Sequence, residues 1–323
     1  MKLVDAATID RTLTRRDAVA AIEDALRSGW DIENDHERLF APLAKGEFLL
    51  MPSQSTTTAG VKVATIAPEN TSLGLPKIHA WYLLFDRETL QPIAMLDGTR
   101  LTTLRTPAAT TVAIAHLLAA APGGAPTAPI HLAVIGSGPQ AIEHVRTIAD
   151  TVPVGRVSLI GRTPDRVAAA VAELRADGLN ADAAEQDALR TADVIVTATS
   201  ATTPVVDLGD VREDAVVAAI GSHGTENREL GADLVRAADL VVEARGSAFR
   251  ENGNLAGARS DEEWASGEQP VANLADLVRG TVRRRPGAPA VYTGVGMAWE
   301  DLAVVEKIME AVGIREQQGS EGT

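Results

Sequence analysis

A glycine-rich turn at residues 136–141 constrains the fold of this chain more than any other feature of its sequence. The apolar run Ile130–Ile135 leads into Gly136-Ser137-Gly138-Pro139-Gln140-Ala141, which has the pattern Gly-x-Gly-x-x-Ala. In a strand–turn–helix unit, Gly136 allows the tight turn, Gly138 lets a pyrophosphate approach the backbone, and Ala141 lets the helix pack on the strand. The N-terminus of the helix then faces the phosphates. The motif therefore predicts a dinucleotide-binding domain.

A second regularity begins after the linker Ala121–Pro129, which is rich in Pro and Gly. Beyond this linker, short apolar runs alternate with helical segments, as in parallel strands that helices cover on both faces. The chain is therefore predicted to be of the α/β class, with a Rossmann-type doubly wound parallel sheet. The predicted strands are Ile130–Ile135, Val157–Ile160, Val194–Ala198, Val216–Ile220, Leu240–Val242 and Ala290–Tyr292.

The residues before the linker predict a strand-rich α+β region. Its predicted strands are Glu47–Pro52, Gly60–Thr65, Ala80–Asp86 and Ile93–Leu96, and its predicted helices are Arg15–Ser28 and Thr106–Ala120. Pro107 is expected in the first turn of the second helix, where its missing N–H is tolerated. At the other end of the sequence, a helix at Trp299–Val312 is predicted to precede a disordered polar tail, Gln317–Thr323.

The end of the second Rossmann strand is expected to discriminate between the two nicotinamide dinucleotides. An acidic residue at this point would accept hydrogen bonds from the ribose of NAD. This chain has Gly161-Arg162-Thr163 there, with Arg166 close behind. A guanidinium suits the 2′-phosphate of NADP in charge and in geometry, so NADP(H) is favoured over NAD(H). Two alternatives stay open for Arg162, which could stack on the adenine of NAD or lie in solvent.

Further residues that follow predicted strands are expected to lie along the dinucleotide. In open α/β sheets, ligands bind at the carboxyl ends of the strands. Together with the glycine-rich turn and the second strand end, these residues make up the predicted cofactor site. Its members are Gly136, Ser137, Gly138, Pro139, Gln140, Arg162, Thr163, Arg166, Thr199, Ser200, Gly221 and Ser222.

Charge and composition exclude several other kinds of partner and site. The formal net charge of -14 disfavours nucleic acid as a partner, but it allows a small anion held by a few Arg or Lys side chains. The chain has no Cys, and its six His show no metal-ligand spacing, so no metal is predicted. No apolar run approaches the roughly 20 residues of a membrane helix, and no signal peptide is evident. A cytoplasmic location is therefore expected.

Several motifs outside the glycine-rich turn are not generic Rossmann features. In chain order, and together with that turn, they are Arg38, Met51-Pro52, Gly60-Val61-Lys62-Val63, Asn70, Gly74-Leu75-Pro76, Leu83-Leu84-Phe85-Asp86, Leu104-Arg105-Thr106-Pro107-Ala108-Ala109, Gly136–Ala141, Arg228-Glu229-Leu230 and Gly294-Val295-Gly296-Met297-Ala298-Trp299-Glu300-Asp301. Through these motifs, which span nearly the whole chain, the sequence resembles the ornithine cyclodeaminase/mu-crystallin family.

The resemblance implies a domain arrangement and a chemistry. Residues 1–120 plus 294–323 would form a substrate-binding and dimerisation domain, and residues 121–293 would be the inserted NAD(P)-binding Rossmann domain. Members of the family use NAD(P)(H) to oxidise amino acids to imines or to reduce imines to amino acids. The chain is therefore predicted to be an NAD(P)H-dependent oxidoreductase of the CH–NH/C=N bond of a small amino or imino acid, and to form a homodimer.

The resemblance also implies roles for individual residues. Arg38, Lys62 and Arg105 match basic residues around the substrate carboxylate, and an overall acidic protein needs such a local basic pocket. If Lys62 is buried beside two arginines, its pKa is lowered, which suits acid–base work. The strand pattern alone leaves a solvent-facing lysine on an edge strand as the alternative. The residues that the family adds to the cofactor site are Arg105, Thr106, Gly294 and Val295.

One residue departs from the family pattern. His223 stands in the loop after the fourth Rossmann strand, where cyclodeaminases carry an aspartate that handles the substrate amine. A histidine can move a proton near neutral pH, but it is a poor partner for an ammonium group. A ketimine reductase or amino-acid dehydrogenase is therefore favoured over an ornithine or lysine cyclodeaminase with recycled NAD. His223 is a candidate proton donor beside Lys62, or a loop residue that bonds only to nearby backbone. A non-catalytic NADPH- or ligand-binding protein is the remaining alternative.

Overall fold

The computed structural model describes residues 1–221 and 224–313, apart from the side chain of Thr71. The chain divides into two compact units. The first unit comprises Met1–Ile22, Asp35–Arg105 and the chain from Ala298 onward, and the second comprises Glu23–Asn34 and Thr106–Met297. The division into a substrate domain and an NAD(P)-binding domain at residues 121 and 293 stays a prediction.

Strands predominate between residues 39 and 97, and helices and strands largely alternate beyond residue 97. The helices are α1 (Ala6–Thr12), α2 (Arg15–Arg27), α3 (Gly98–Ala119), α4 (Pro139–Thr151), α5 (Pro164–Ala176), α6 (Ala232–Ala237), α7 (Arg245–Glu251), α8 (Gly253–Ala256), α9 (Asp261–Ala265), α10 (Leu274–Val278) and α11 (Ala298–Ala311). The strands are β1 (Lys2–Val4), β2 (Leu39–Leu43), β3 (Gly46–Gln54), β4 (Thr58–Ile66), β5 (Ile78–Asp86), β6 (Pro92–Asp97), β7 (Ile130–Ile135), β8 (Val154–Ile160), β9 (Ala181–Ala183), β10 (Val194–Thr197), β11 (Val216–Ala219), β12 (Asp239–Val242), β13 (Val271–Asn273) and β14 (Ala290–Thr293). Within residues 1–221 and 224–313, no helix is both long and apolar enough to cross a membrane.

The first unit is built on a mixed sheet with the strand order β1-β6-β5-β4-β3-β2. Strands β2 to β6 pair antiparallel, and β1 joins β6 in parallel. Burial alternates along β4, because successive side chains of a strand point to opposite faces of the sheet. Helix α11 packs against β3 and β4. The four strands that the sequence predicts before the linker are confirmed, as are the helices α2 and α11, whereas the predicted tail Gln317–Thr323 lies outside the described residues.

The prediction for α3 was wrong at its N-terminus. The helix begins at Gly98 rather than Thr106, so Pro107 lies in its interior and not in its first turn. Asp97 ends β6, and its Oδ1 accepts a hydrogen bond from the Arg100 N–H at 2.8 Å, which caps the helix there. An interior proline costs about 3 kcal/mol. The additional turns bury Leu101 and Leu104 completely or nearly so, which offsets that cost.

The second unit contains a sheet with the strand order β13-β12-β14-β11-β10-β7-β8-β9, and all neighbouring strands pair in parallel. The predicted Rossmann-type sheet is therefore confirmed. The strand order reverses at β7, which lies between β8 and β10. Connections leave opposite faces of the sheet at such a point, and a crevice opens at the carboxyl ends of the strands. The glycine-rich turn follows β7, so it lies at this crevice.

Candidate active site

Lys62 lies on the buried face of the first sheet. Its strand neighbours in register are Met51 on β3 and Tyr82 on β5, and both are buried. Lys62 is only 3% exposed, so the alternative of a solvent-facing lysine was wrong. Its Nζ donates to Asp301 Oδ2 at 2.8 Å and to Thr102 Oγ1 at 3.3 Å. The ammonium group is thus held by α11 and α3.

Arg105 joins the same group of charges. Its Nη1 donates to Glu300 Oε2 at 2.6 Å, and its Nε lies 3.3 Å from Asp301 Oδ1. Both carboxylates are fully buried in the first turn of α11, where the helix dipole favours negative charge. Lys62, Arg105, Glu300 and Asp301, called the charge cluster below, therefore balance two positive charges against two negative ones.

The charge cluster perturbs the acid–base behaviour of its lysine. Burial lowers the pKa of Lys62 from 10.5 to about 8. Asp301 opposes this change, while the positive charges of Arg105 and the half-buried Arg38 add to it. The two arginines predicted from the family are therefore close enough to influence Lys62. With a pKa of about 8, Lys62 can both hold and release a proton at neutral pH.

Sequence reasoning gave no role to the acidic residues of this site. Glu300 and Asp301 belong to a family motif, but their function as counter-ions was missed. Asp35 was missed as well. It accepts hydrogen bonds from Ser53 Oγ at 2.7 Å and from the Trp299 N–H at 2.8 Å, and burial raises its pKa. The predicted burial of Lys62 could have pointed to these acidic residues, because a buried cation requires a buried anion.

The second unit contains the glycine-rich turn in the geometry that a dinucleotide needs. Gly136 has φ +135°, and a Cβ there would lie 2.5 Å from the Ala198 carbonyl oxygen, so only glycine fits. A Cβ on Gly136 would also lie 3.4 Å from the Cβ of Ala141. Gly138 is the N-cap of α4 without a side-chain cap, and a Cβ there would meet no protein atom within 4 Å. The first turn of α4 is therefore open to a phosphate group.

The other predicted cofactor residues of the second unit mostly follow its strands. Those after β8 are exposed, while Thr106 lies in α3 and is half-buried. The predicted residues Ser222 and His223 lie outside the described residues. Those that the structure places at the carboxyl ends of strands are Ser137, Pro139 and Gln140 after β7, Arg162, Thr163 and Arg166 after β8, Thr199 and Ser200 after β10, Gly221 after β11, and Gly294 and Val295 after β14.

Two buried glutamates that the sequence did not single out hold these strand ends in place. Glu229 accepts hydrogen bonds from the N–H and Oγ1 of Thr199 at 2.8 and 2.7 Å, and from the Gly221 N–H at 2.7 Å. Burial raises the pKa of Glu229, and these hydrogen bonds oppose the change. Glu243 accepts from the Val295 and Gly296 N–H groups, each at 2.8 Å. The loops after β10, β11 and β14 are therefore fixed by carboxylates.

The charge cluster and the glycine-rich turn occur in a chain whose sequence matches a known family. The model of the ornithine cyclodeaminase/mu-crystallin family matches residues 2–315. The chain belongs to this family. The resemblance inferred from the sequence motifs is thereby confirmed.

Other members and structural neighbours of the ornithine cyclodeaminase/mu-crystallin family resemble the chain over most of its length. The Delta(1)-pyrroline-2-carboxylate/Delta(1)-piperideine-2-carboxylate reductase of Azospirillum brasilense is 35% identical over 281 residues, which are 86% of this chain and 85% of that protein. The structure of Thermococcus litoralis Delta(1)-pyrroline-2-carboxylate reductase with NADH and L-proline matches with a TM-score of 0.86 and 26% identity, over 97% of each chain. An archaeal alanine dehydrogenase dimer with bound NAD has a TM-score of 0.86 at 25% identity, over 97% of this chain and 96% of that one.

Proposed function

We propose that the protein is an NAD(P)H-dependent reductase of cyclic imino acids, which reduces the C=N bond of an α-imino carboxylate and catalyses the reverse oxidation of the amino acid. The observation that carries the proposal is the buried Lys62, held by Asp301 at 2.8 Å beside Arg105. The reductases of Azospirillum brasilense and Thermococcus litoralis support it, because their names specify pyrroline-2-carboxylate as a substrate.

The residues of the first unit account for substrate binding and proton transfer. We assign Arg38, which is close enough to influence the pKa of Lys62, to the basic residues that hold a substrate carboxylate. Lys62 and Arg105 orient this carboxylate through charge-assisted hydrogen bonds. The Lys62 ammonium donates a proton to the substrate nitrogen and recovers one from solvent, which a pKa of about 8 permits. His223 remains the alternative donor.

The second unit holds the cofactor in this proposal. When bound, the dinucleotide supplies the hydride that the imino carbon receives. Gly136 and Gly138 keep the turn after β7 free of side chains, and the first N–H groups of α4 bind the pyrophosphate. Glu229 and Glu243 fix the loops that border the cofactor.

Coupled assays test the proposal against its rivals. Net loss of NADPH or NADH with pyrroline-2-carboxylate or piperideine-2-carboxylate, without ammonia release, is the expected result. Ammonia release from ornithine or lysine with no net consumption of cofactor would identify a cyclodeaminase instead. Binding of NADPH without turnover of any imino acid in a panel would identify a non-catalytic binding protein.

Gly138→Val is expected to weaken the binding of NADH and NADPH by at least about tenfold, because the new side chain fills the space of the pyrophosphate. The fold should tolerate the change, since Gly138 has φ -88° and a Cβ there meets no protein atom. Titration of NADH fluorescence measures the affinity, and thermal unfolding checks the fold. Gly209→Val is the matched control, because Gly209 is equally open and lies in the same unit. Equal affinities in both variants would disprove the assignment of the turn.

For the choice of dinucleotide, we propose a preference for NADPH that depends on Arg162. Arg162→Ala is expected to raise the dissociation constant of NADPH by about tenfold and to leave that of NADH nearly unchanged, because only NADPH carries the 2′-phosphate. Arg156→Ala, at the other end of β8, is the control. Equal losses for both dinucleotides would show that Arg162 stacks on adenine and that the preference is absent.

We also propose that the chain forms a homodimer through the first sheet. The face of this sheet opposite α11 carries apolar side chains in register, among them Leu50, Val63 and Trp81, and Trp81 is 45% exposed. Exposed apolar patches of this kind mark interfaces. The archaeal alanine dehydrogenase that resembles the chain is described as a dimer. Sedimentation equilibrium should give twice the chain mass of 33.8 kDa, and the mass of a monomer would refute the proposal.

A further inference from the structure

A cavity of about 410 Å³ opens in the second unit, away from the predicted cofactor site. It lies at the amino-terminal edge of the parallel sheet, because Asp193, Asp214 and Ala288 line it immediately before β10, β11 and β14. The linker residues Ala121 and Pro122 supply another wall. The residues assigned to the dinucleotide follow the opposite ends of the same strands. The cavity is therefore distinct from the site described above, and its volume is within the range of small-molecule sites.

Arg284 gives this cavity a positive charge that forms no ion pair with a carboxylate among the described residues. Its side chain is largely buried, with the residue 6% exposed, and its Nη2 donates to main-chain oxygens of Asp214 at 2.8 Å and Ala215 at 3.3 Å. Its Nε–H has no acceptor, and among the described residues no carboxylate forms an ion pair with it. Burial lowers the pKa of Arg284, and the more distant Asp239 and Asp214 only oppose this. A buried guanidinium that no carboxylate pairs with is a costly arrangement, and a bound anion would offset this cost.

The neighbouring arginines differ from Arg284 in this respect. Arg212 pairs with Asp214 at 2.8 Å and also with Asp193, and Arg285 pairs with Asp239 at 2.6 Å. The pair of Arg285 is neutral, and Arg212 with its two aspartates carries one net negative charge. Neither group attracts an anion, and the aspartates beside Arg212 repel additional negative charge on a ligand. The lining thus favours a ligand with a single negative charge over a dianion such as phosphate.

The rest of the lining is apolar. Leu118, Pro122 and Pro286 contribute hydrocarbon surface to the cavity, which suits the body of an organic ligand and not a hydrated inorganic ion. We propose that the cavity binds a small organic monocarboxylate, with its carboxylate on Arg284 and its hydrocarbon part against Leu118, Pro122 and Pro286. The planar guanidinium matches a carboxylate in geometry as well as in charge.

Calorimetric titration of the full-length protein with cyclopentanecarboxylate tests the proposal. The wild type should bind this probe, and Arg284→Gln should weaken binding by at least about tenfold, because a charge-assisted hydrogen bond is lost. Arg279→Gln, at an exposed arginine of the same unit that does not line the cavity, should bind like the wild type. Ala121→Phe provides an independent variant, because it fills the cavity and leaves Arg284 in place. It should lose binding as well, with thermal unfolding as the check on both folds.

Two further arms separate this cavity from the proposed active site. Binding of cyclopentanecarboxylate should persist in Lys62→Met and in the presence of saturating NADH, because neither changes the cavity. Inorganic phosphate should bind at least about tenfold more weakly than the carboxylate. The proposal would be overturned by any one of three results: no binding to the wild type, loss of binding in Lys62→Met, or undiminished binding in both Arg284→Gln and Ala121→Phe. Tighter binding of phosphate than of the carboxylate would overturn the monocarboxylate assignment.

Discussion

Replacing Lys62 with methionine is expected to lower kcat/KM for a cyclic imino acid by about a thousandfold, while the dissociation constant of NADPH changes by less than about twofold. The side chain keeps its length but loses the proton and the positive charge. General acid–base catalysis contributes about 10²–10⁴ in rate, and the lost charge also weakens binding of the carboxylate. Steady-state kinetics measures the first effect, and titration of NADPH fluorescence measures the second.

The matched control for this prediction is Lys77→Met. Lys77 belongs to the same unit, and it is exposed just before β5. Its replacement should leave turnover unchanged. Near-normal rates in Lys62→Met would show that the charge cluster is a structural ion-pair network, and the proposed site would then be wrong.

The pH dependence distinguishes Lys62 from His223 as the proton donor. Because the pKa of Lys62 is about 8, its ammonium form is present below pH 8 and is lost above it. The value of kcat/KM for imine reduction should therefore be constant below pH 8 and fall about tenfold per pH unit above it. Asp301→Asn should move this limb to lower pH, since Asp301 raises the pKa of Lys62. If kcat/KM instead falls near pH 6.5, and Asp301→Asn does not shift that fall, His223 is the donor.

Arg105→Met is expected to lower the free energy of unfolding by about 3–5 kcal/mol. Arg105 pairs with Glu300 at 2.6 Å and lies 3.3 Å from Asp301, and both carboxylates have fully buried side chains. Its removal leaves the cluster with two negative charges and only Lys62 to balance them. Urea denaturation followed by circular dichroism measures the change.

Arg100→Met is the control on the same helix. Arg100 pairs with Asp10 at 2.5 Å, but the Asp10 side chain is 51% exposed, so solvent screens the pair. Its removal should cost less than about 1 kcal/mol. Similar losses of stability in Arg105→Met and Arg100→Met would contradict the prediction, because the buried ion pairs would then matter no more for stability than an exposed one.

The sequence predicts those parts of the site that are local in the chain. The turn from Gly136 to Ala141 consists of six consecutive residues, and the role proposed for each glycine and for Ala141 follows from backbone geometry and helix packing. The pair between Lys62 and Asp301 joins residues 239 positions apart, so no periodicity reveals it. Only the family motifs brought both residues to attention, and they left the role of Asp301 open. Glu229 was missed for a similar reason, because its partners Thr199 and Gly221 follow two different strands.

The helices and strands show the same difference: those determined by local sequence were predicted, and those determined by tertiary contacts were not. Apolar runs predict β7, β10 and β14 closely, because burial on both faces leaves little choice of residue. The edge strand β2 was missed, since its five residues are exposed and follow no alternation. The start of α3 was misplaced because Pro107 is a strong local sign of a helix start. Tertiary burial of Leu101 and Leu104 outweighs that preference, and burial is not visible locally.

The position of Glu300 and Asp301 on α11 sets the order in which a growing chain can complete its fold. A ribosome delivers residues 106–297, nearly all of the second unit, before α11 exists. The first unit contains the earliest residues to be synthesised, yet it is the last to be finished, because Lys62 and Arg105 must wait for their counter-charges. Domains usually complete folding in the order of their synthesis, whereas in this chain the first unit is completed after the second. A nascent chain stalled before α11 would thus present a folded second unit to the cell together with an unfinished first unit, open to chaperones and proteases.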